Sequence, residues 1–160
     1  MSNRAPDTTP SADQPATAVR LRTLPTRLLS LAAIHSDRRV NEELARADAR
    51  KWHYAALATL EEFGPASQAE LSSRTGIYRS DLVAVINELA DHGLVERSPN
   101  PADRRQNVIT LTEQGHRQLI KLDKLLADVA NEVLAPLSRP EREQLTHLLT
   151  TLVNHHGRKM

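Results

Sequence analysis

Apolar residues recur three and four positions apart over most of this chain and alternate over only two short stretches. That pattern predicts a mainly α protein with a small β element. Leu24, Leu28 and Leu31 fall at helical spacing and Pro25 fits a first turn, so a helix is expected over residues 23–46. A second helix over residues 52–63 is stopped by Gly64-Pro65. Ser67-Gln68-Ala69-Glu70 then reads as a capping box, in which the Ser67 hydroxyl and the Glu70 carboxylate satisfy free backbone donors where a short helix begins. That helix ends near Arg74, and Thr75-Gly76-Ile77 makes a tight turn. A further helix over residues 79–92 buries Leu82, Val85, Ile86 and Leu89 before Gly93 ends it. Two helices joined by a three-residue turn containing glycine form a helix-turn-helix unit, and in such units the second helix is the one that enters the major groove.

Strands are expected over residues 94–98 and 107–111. Between them lie Pro99-Asn100-Pro101-Ala102-Asp103-Arg104-Arg105-Gln106, read as an eight-residue loop where hairpins usually use about two to five, and loops of that length usually carry function. Thr112 caps a helix whose Leu119, Leu122, Leu126, Val129 and Val133 form a seam for another helix, and Pro136 and Pro140 break it. Ser138-Arg139-Pro140-Glu141 is a second capping box, opening a last helix with Leu145, Leu148, Leu149 and Leu152 on one side. Residues 1–18, with Pro6, Pro10 and Pro15 among Ser, Thr, Ala and Asp, read as a disordered tail.

Composition narrows the picture. The chain has 160 residues and no cysteine, which excludes disulfides, thiolate metal sites, cysteine nucleophiles and thiol redox sensing, and suits a reducing cytoplasm. The mostly apolar stretch over residues 28–34, interrupted by Ser30, falls far short of the roughly 18 to 20 residues that span a bilayer, and no signal-peptide core opens the chain, so a cytoplasmic protein is expected. Trp52, Tyr54, Phe63 and Tyr78 are the only aromatic residues, so the core must be aliphatic, and single-strand or RNA binding on stacked rings is disfavoured.

The runs Gly93-Leu94-Val95-Glu96-Arg97, Asp103-Arg104-Arg105 and Leu111-Thr112-Glu113-Gln114-Gly115 resemble the MarR family of bacterial transcription regulators, and the helix order matches over residues 20–156. The resemblance implies a winged helix-turn-helix lobe over residues 51–112, and a helical dimerisation region over residues 19–50 and 113–156. It implies a homodimer on a pseudopalindromic operator of double-stranded DNA, often released by a small-molecule effector. Carried over by position, it puts Arg79, Ser80, Val83, Ala84 and Asn87 on the groove-facing side of the recognition helix, with Tyr78 just before it. Tyr78 stands where many members have a small capping residue, and Val83-Ala84 where many have a Thr-Arg pair. Ser67 and Gln68 open the first helix of the unit, where helix N-termini donate to phosphates. Arg104 and Arg105 become wing residues that reach the minor groove, with Asp103 bracing Arg105; a guanidinium suits the negative potential there.

Charge does not announce this function. From Ser67 to Thr112 the basic residues Arg74, Arg79, Arg97, Arg104 and Arg105 face six acids: Glu70, Asp81, Glu88, Asp91, Glu96 and Asp103. Affinity must therefore depend on a few well-placed arginines. The seven histidines include no helical pair at four-residue spacing, so no metal is expected. His35, Trp52, His53, Tyr54 and His116 are candidates for an effector pocket where helical base and lobe meet. No phosphate loop, nucleophile elbow or cofactor motif is present, so neither an enzyme nor a bound cofactor is expected. The rival reading is an adaptor that uses the winged helix to bind protein.

Overall fold

The computed structural model describes residues 16–157, so most of the expected tail, residues 1–15, lies outside the described part. The chain divides into two compact units, Met1–Ser36 and Asp37–Met160. In the first lie a single turn, α1 (Val19–Arg22), and the start of α2 (Pro25–Arg46). Arg27 donates to the Leu21 carbonyl at 3.1 Å, which ties the two together across Leu24-Pro25. Leu24, Leu28, Leu29, Leu31 and Ile34 are all exposed.

The second unit contains the core. α2 ends in a Schellman motif: the Ala49 amide donates back to Leu44 at 2.9 Å and the Asp48 amide to Ala45 at 3.0 Å. Asp48 takes the left-handed position, with φ 55°, that glycine usually fills. α3 (Lys51–Phe63) follows, then β1 (Ala66–Ser67), α4 (Gln68–Thr75) and α5 (Arg79–Asp91). The Ser67 capping box forms as its spacing predicts, Glu70 N to Ser67 Oγ at 3.2 Å and Ser67 N to Glu70 Oε2 at 3.0 Å. Gly76 closes α4 in the left-handed region, with its amide on the Ser72 carbonyl at 3.0 Å.

β2 (Val95–Asn100) and β3 (Asp103–Leu111) form the hairpin, with β1 on the other side of β3, giving an antiparallel sheet of order β1-β3-β2. Here the structure corrects the sequence reading. Most of the supposed eight-residue loop is strand, paired from Ser98↔Val108 through Pro99↔Asn107 to Asn100↔Asp103, leaving only Pro101 and Ala102 as the turn. The register shifts between Pro99 and Asn100, and Pro99 is tolerated because β2 is an edge strand. β1 is a further strand the sequence pattern does not predict.

α6 (Glu113–Val133) and α7 (Arg139–Gly157) complete the chain. Leu44, Leu57, Leu71, Leu82, Ile86, Leu89, Ile109 and Leu122 are sealed from water among the end of α2, α3, α4, α5, the sheet and the first half of α6. Burial of each such side chain is worth about 1.5–3 kcal/mol. α7 contrasts with this. It is capped by Ser138 and Glu141, as the spacing predicts, yet buries no residue and exposes Leu148, Leu149, Leu152 and Val153.

Candidate nucleic-acid interface

The apolar stripe of α5 decides which of its side chains face outward. Leu82, Val85, Ile86 and Leu89 are buried, so the 3.6-residue repeat turns Arg79, Ser80, Val83, Ala84 and Asn87 to the surface on one continuous face. Tyr78, at the N-cap, is 77% exposed. Position 78 makes no side-chain cap bond, so the N-terminal amides of α5 carry no internal side-chain acceptor from it.

Three elements converge beside that face. A cavity of about 280 Å³ is lined by Ser67, Gln68 and Ala69 at the start of α4, Arg79 at the start of α5, and Arg105, Gln106 and Asn107 on β3. Residues far apart in sequence, Ser67, Gln68, Arg79 and Arg105, thus meet at one groove because β1 pairs with β3 directly before α4 begins. Gln106 and Asn107 join them; nothing local in the sequence marks these two, which are brought in by the strand register.

The lobe's arginines divide into two kinds. Arg74 lies over the Phe63 ring with its guanidinium carbon 4.4 Å from the centroid, and Arg97 donates to Asn87 Oδ1. Both are committed internally. Among the described residues, the guanidinium groups of Arg79, Arg104 and Arg105 have no carboxylate partner. The near-balance of charge in this lobe therefore conceals an arrangement in which two of the uncompensated cations, Arg79 and Arg105, line one groove, with Arg104 next to Arg105 on β3. Two acids of this lobe are engaged with backbone: Glu70 in its capping box, and Asp103, which accepts from the Arg105 backbone N–H at 3.0 Å. Asp103 is thus fixed to the backbone of Arg105, and in this state the Arg105 guanidinium is left without it.

Asn87, on the groove-facing side of α5, is not free to pair with an adenine edge. Its side-chain oxygen is taken by Arg97, so the paired acceptor and donor that adenine requires are not both open. Arg97 stands two residues beyond the buried Val95 and so shares its strand face, although it is itself exposed.

The candidate effector residues are spread over several places. Trp52, half-exposed, lines a cavity of about 340 Å³ with Asn41, Ala45, Ala49, Arg50 and Lys51. His53 is buried and lines a different cavity, with Arg50, Glu88 and His92 among its neighbours. Tyr54 and His116 join α3 to α6: Tyr54 Oη donates to Asp123 Oδ1 at 2.6 Å, and His116 Nδ1 is 2.9 Å from Glu61 Oε2. His35 belongs to the N-terminal unit. Among the described residues no group of His, Asp or Glu is arranged to hold a metal ion, and no helix is long and apolar enough to cross a membrane.

Comparison with known proteins agrees with this geometry. A family model described as MarR family matches residues 48–106. The HTH-type transcriptional regulator MT0903.1 of Mycobacterium tuberculosis is 30% identical over 117 residues, which cover 73% of this chain and 82% of that protein. The HTH-type transcriptional repressor NicR of Pseudomonas putida is 29% identical over 101 residues, 63% of this chain and 64% of its own length. Among solved structures, the PcaV transcriptional regulator of Streptomyces coelicolor, crystallised with its natural ligand, superposes with a TM-score of 0.71 at 25% identity, covering 87% of this chain and 98% of that one. With the helix-turn-helix, the three-stranded wing and a relative of this identity and coverage in hand, the chain belongs to the MarR family of transcription regulators.

Proposed function

We propose that this chain is a sequence-specific double-stranded DNA-binding repressor that acts as a homodimer on a pseudopalindromic operator and is released by a small-molecule effector. The observation that carries the DNA reading is the groove in which Arg79 and Arg105, lacking carboxylate partners among the described residues, flank the opening residues of α4. Unpaired guanidinium groups beside unsatisfied helix amides suit phosphate oxygens. On this reading Arg79 and Ser80 hold the helix in the major groove, while Val83 and Ala84 offer apolar contact to thymine methyl groups. Arg104 and Arg105 serve the wing.

Dimerisation is supported by the exposed leucines of α2 and by α7, which buries nothing within its own chain. Effector control is supported by the cavity beside Trp52, whose volume falls within the range of small-molecule sites, and by the ligand-bound state of PcaV. The test is fluorescence anisotropy of the full chain against duplexes selected from genomic fragments. Tight, salt-sensitive binding that fails in the Arg79→Ala, Arg105→Ala double variant is expected. A folded dimer that retains no duplex would reject the DNA reading in favour of a protein-binding winged helix.

A further inference from the structure

We propose that Arg50, His53 and Glu88 form a positioning device that fixes the rotation of the recognition helix, and that Tyr54 and Asp123 extend it to α6, so that α3 sets the half-site spacing the dimer accepts. The inference rests on the reading above, that the chain grips two half-sites as a dimer.

His53 is the one buried polar or charged residue among those described, and both of its ring nitrogens are committed. Nδ1 accepts the Arg50 backbone N–H at 3.1 Å, so Nε2 carries the ring proton and donates it to Glu88 Oε2 at 2.5 Å. The Arg50 guanidinium donates to the same carboxylate oxygen. Arg50, and after it His53, hold the Glu88 carboxyl below the usual carboxylate range. Glu88 stands on α5, immediately after the outward-facing Asn87. The next residue of α3, about a quarter-turn around the helix, has a different partner: Tyr54 binds Asp123 on α6, and Glu61, two turns on, meets His116 of the same helix.

Consecutive side chains of α3 therefore hold the recognition helix and α6. The apolar face of α5 fastens it to the lobe, but the hydrophobic effect is non-directional, and packing alone fixes the helix's rotation less specifically than a polar bond between named partners does. A buried polar group with named partners allows one orientation, because any other leaves a donor or a charge unsatisfied. In a two-lobed reader, an error in that orientation is felt at both half-sites, where the distance between recognition helices must match the helical repeat.

The experiment uses the full chain, an operator selected from a random duplex pool, the same operator with one base pair inserted between the half-sites, and an isolated half-site. The insertion rotates one half-site by about 35°. Wild type is expected to prefer the native spacing by more than tenfold. Glu88→Ala removes the anchor. His53→Gln keeps an acceptor for the Arg50 N–H, and hence the start of α3, while giving up the imidazole bond to Glu88. Both are expected to reduce the spacing preference about tenfold with half-site affinity held within about threefold, and Tyr54→Phe to reduce it less. An unchanged spacing preference in Glu88→Ala and His53→Gln, with a wild type that binds DNA, overturns the positioning role alone. So does an equal loss on all three duplexes, or loss of the fold in both Glu88→Ala and His53→Gln, since a merely structural role predicts those. Wild type that binds no duplex overturns the DNA reading and this inference with it.

Discussion

Arg39 and Arg105 are the same residue put to opposite uses. On α2, Arg39 is ringed by carboxylates, with Glu42 at 2.6 Å, Glu132 at 2.8 Å and Glu43 at 3.2 Å, and Arg46 shares Glu43 at 3.1 Å. Along the edge of the winged lobe, Arg79, Arg104 and Arg105 have no carboxylate partner among the described residues. A guanidinium enclosed by acids is satisfied by its own chain and offers little to a partner, whereas an uncompensated one keeps both its charge and its fork of donors for an external anion. Formal net charge, +1 here, averages over these two populations and so hides the site. What matters is which cations the fold leaves unspent.

The largest effect that would sharpen this contrast comes from the join between the two regions. At Gly115, in the first turn of α6, an added Cβ would run into the Leu94 carbonyl oxygen just before β2, and into the Leu111 side chain. The obstacle is backbone, so it cannot rotate away. Gly115→Ala is expected to cost about 3 kcal/mol or more, seen as a lower midpoint in urea unfolding. The Gly of the Leu-Thr-Glu-Gln-Gly run is thereby a packing requirement of the helix that leaves the wing. If Gly115→Ala were neutral, α6 and the lobe would not be as closely joined as described.

Next in size is the direct test of the unspent cations. Replacing Arg79 and Arg105 together by Ala is expected to weaken operator binding by about a hundredfold, with the urea midpoint unchanged. The slope of log affinity against log salt should fall by about 0.9 for each phosphate that is no longer neutralised. A slope that does not change while affinity drops would mean that these residues shape the groove without meeting phosphate.

How much of this was legible in the sequence depends on how far a feature's cause extends along the chain. The buried face of α5 and the caps at Ser67 and Ser138 follow from spacings within one or two turns, and each is found where the pattern places it. The wing is different. Pro99, Asn100, Pro101 and Asp103 are turn-forming residues, and an exposed two-stranded ribbon has no buried face to impose alternation, so its strands arise from pairing across the hairpin and leave no local period. The candidate interface shows the same division. Arg79, Arg104 and Arg105 could be named from motif and position, but not that Arg97 occupies Asn87, nor that Glu88 is claimed by Arg50 across 38 residues and by His53 across 35. Those pairings are set by tertiary contact.

A smaller effect is expected from the enclosed side of the comparison. Arg39→Ala removes a cation from among Glu42, Glu43 and Glu132, leaving acids that repel one another, so the melting temperature should fall modestly, and less so in high salt, where exposed charges are screened. Operator affinity should stay within about twofold of wild type, because the charge removed was never presented outward. A loss of affinity comparable to that of the Arg79 and Arg105 variant would erase the distinction between the two populations.

The smallest effect lies outside the working pH range and probes the contact between α3 and α6. Tyr54 donates its phenolic proton to Asp123, and that bond, with partial burial, pushes the phenol up to about 12 from an ordinary value of 10.0. A group whose folded value is raised stabilises the native state fully below its unfolded value, and the contribution is lost as pH climbs through the folded value. The Tyr54 bond should therefore contribute at neutral pH and fade between about pH 10 and 12, where the unfolded chain ionises first. In an ultraviolet titration of the folded protein, wild type should show a tyrosinate step at about 12, and Tyr54→Phe should lack it. The variant should also unfold at a slightly lower urea concentration at pH 7 but match wild type above pH 12. If the late step persisted in Tyr54→Phe, Asp123 would not be holding that proton, and α3 would be joined to α6 only through its apolar side chains and the pair between Glu61 and His116.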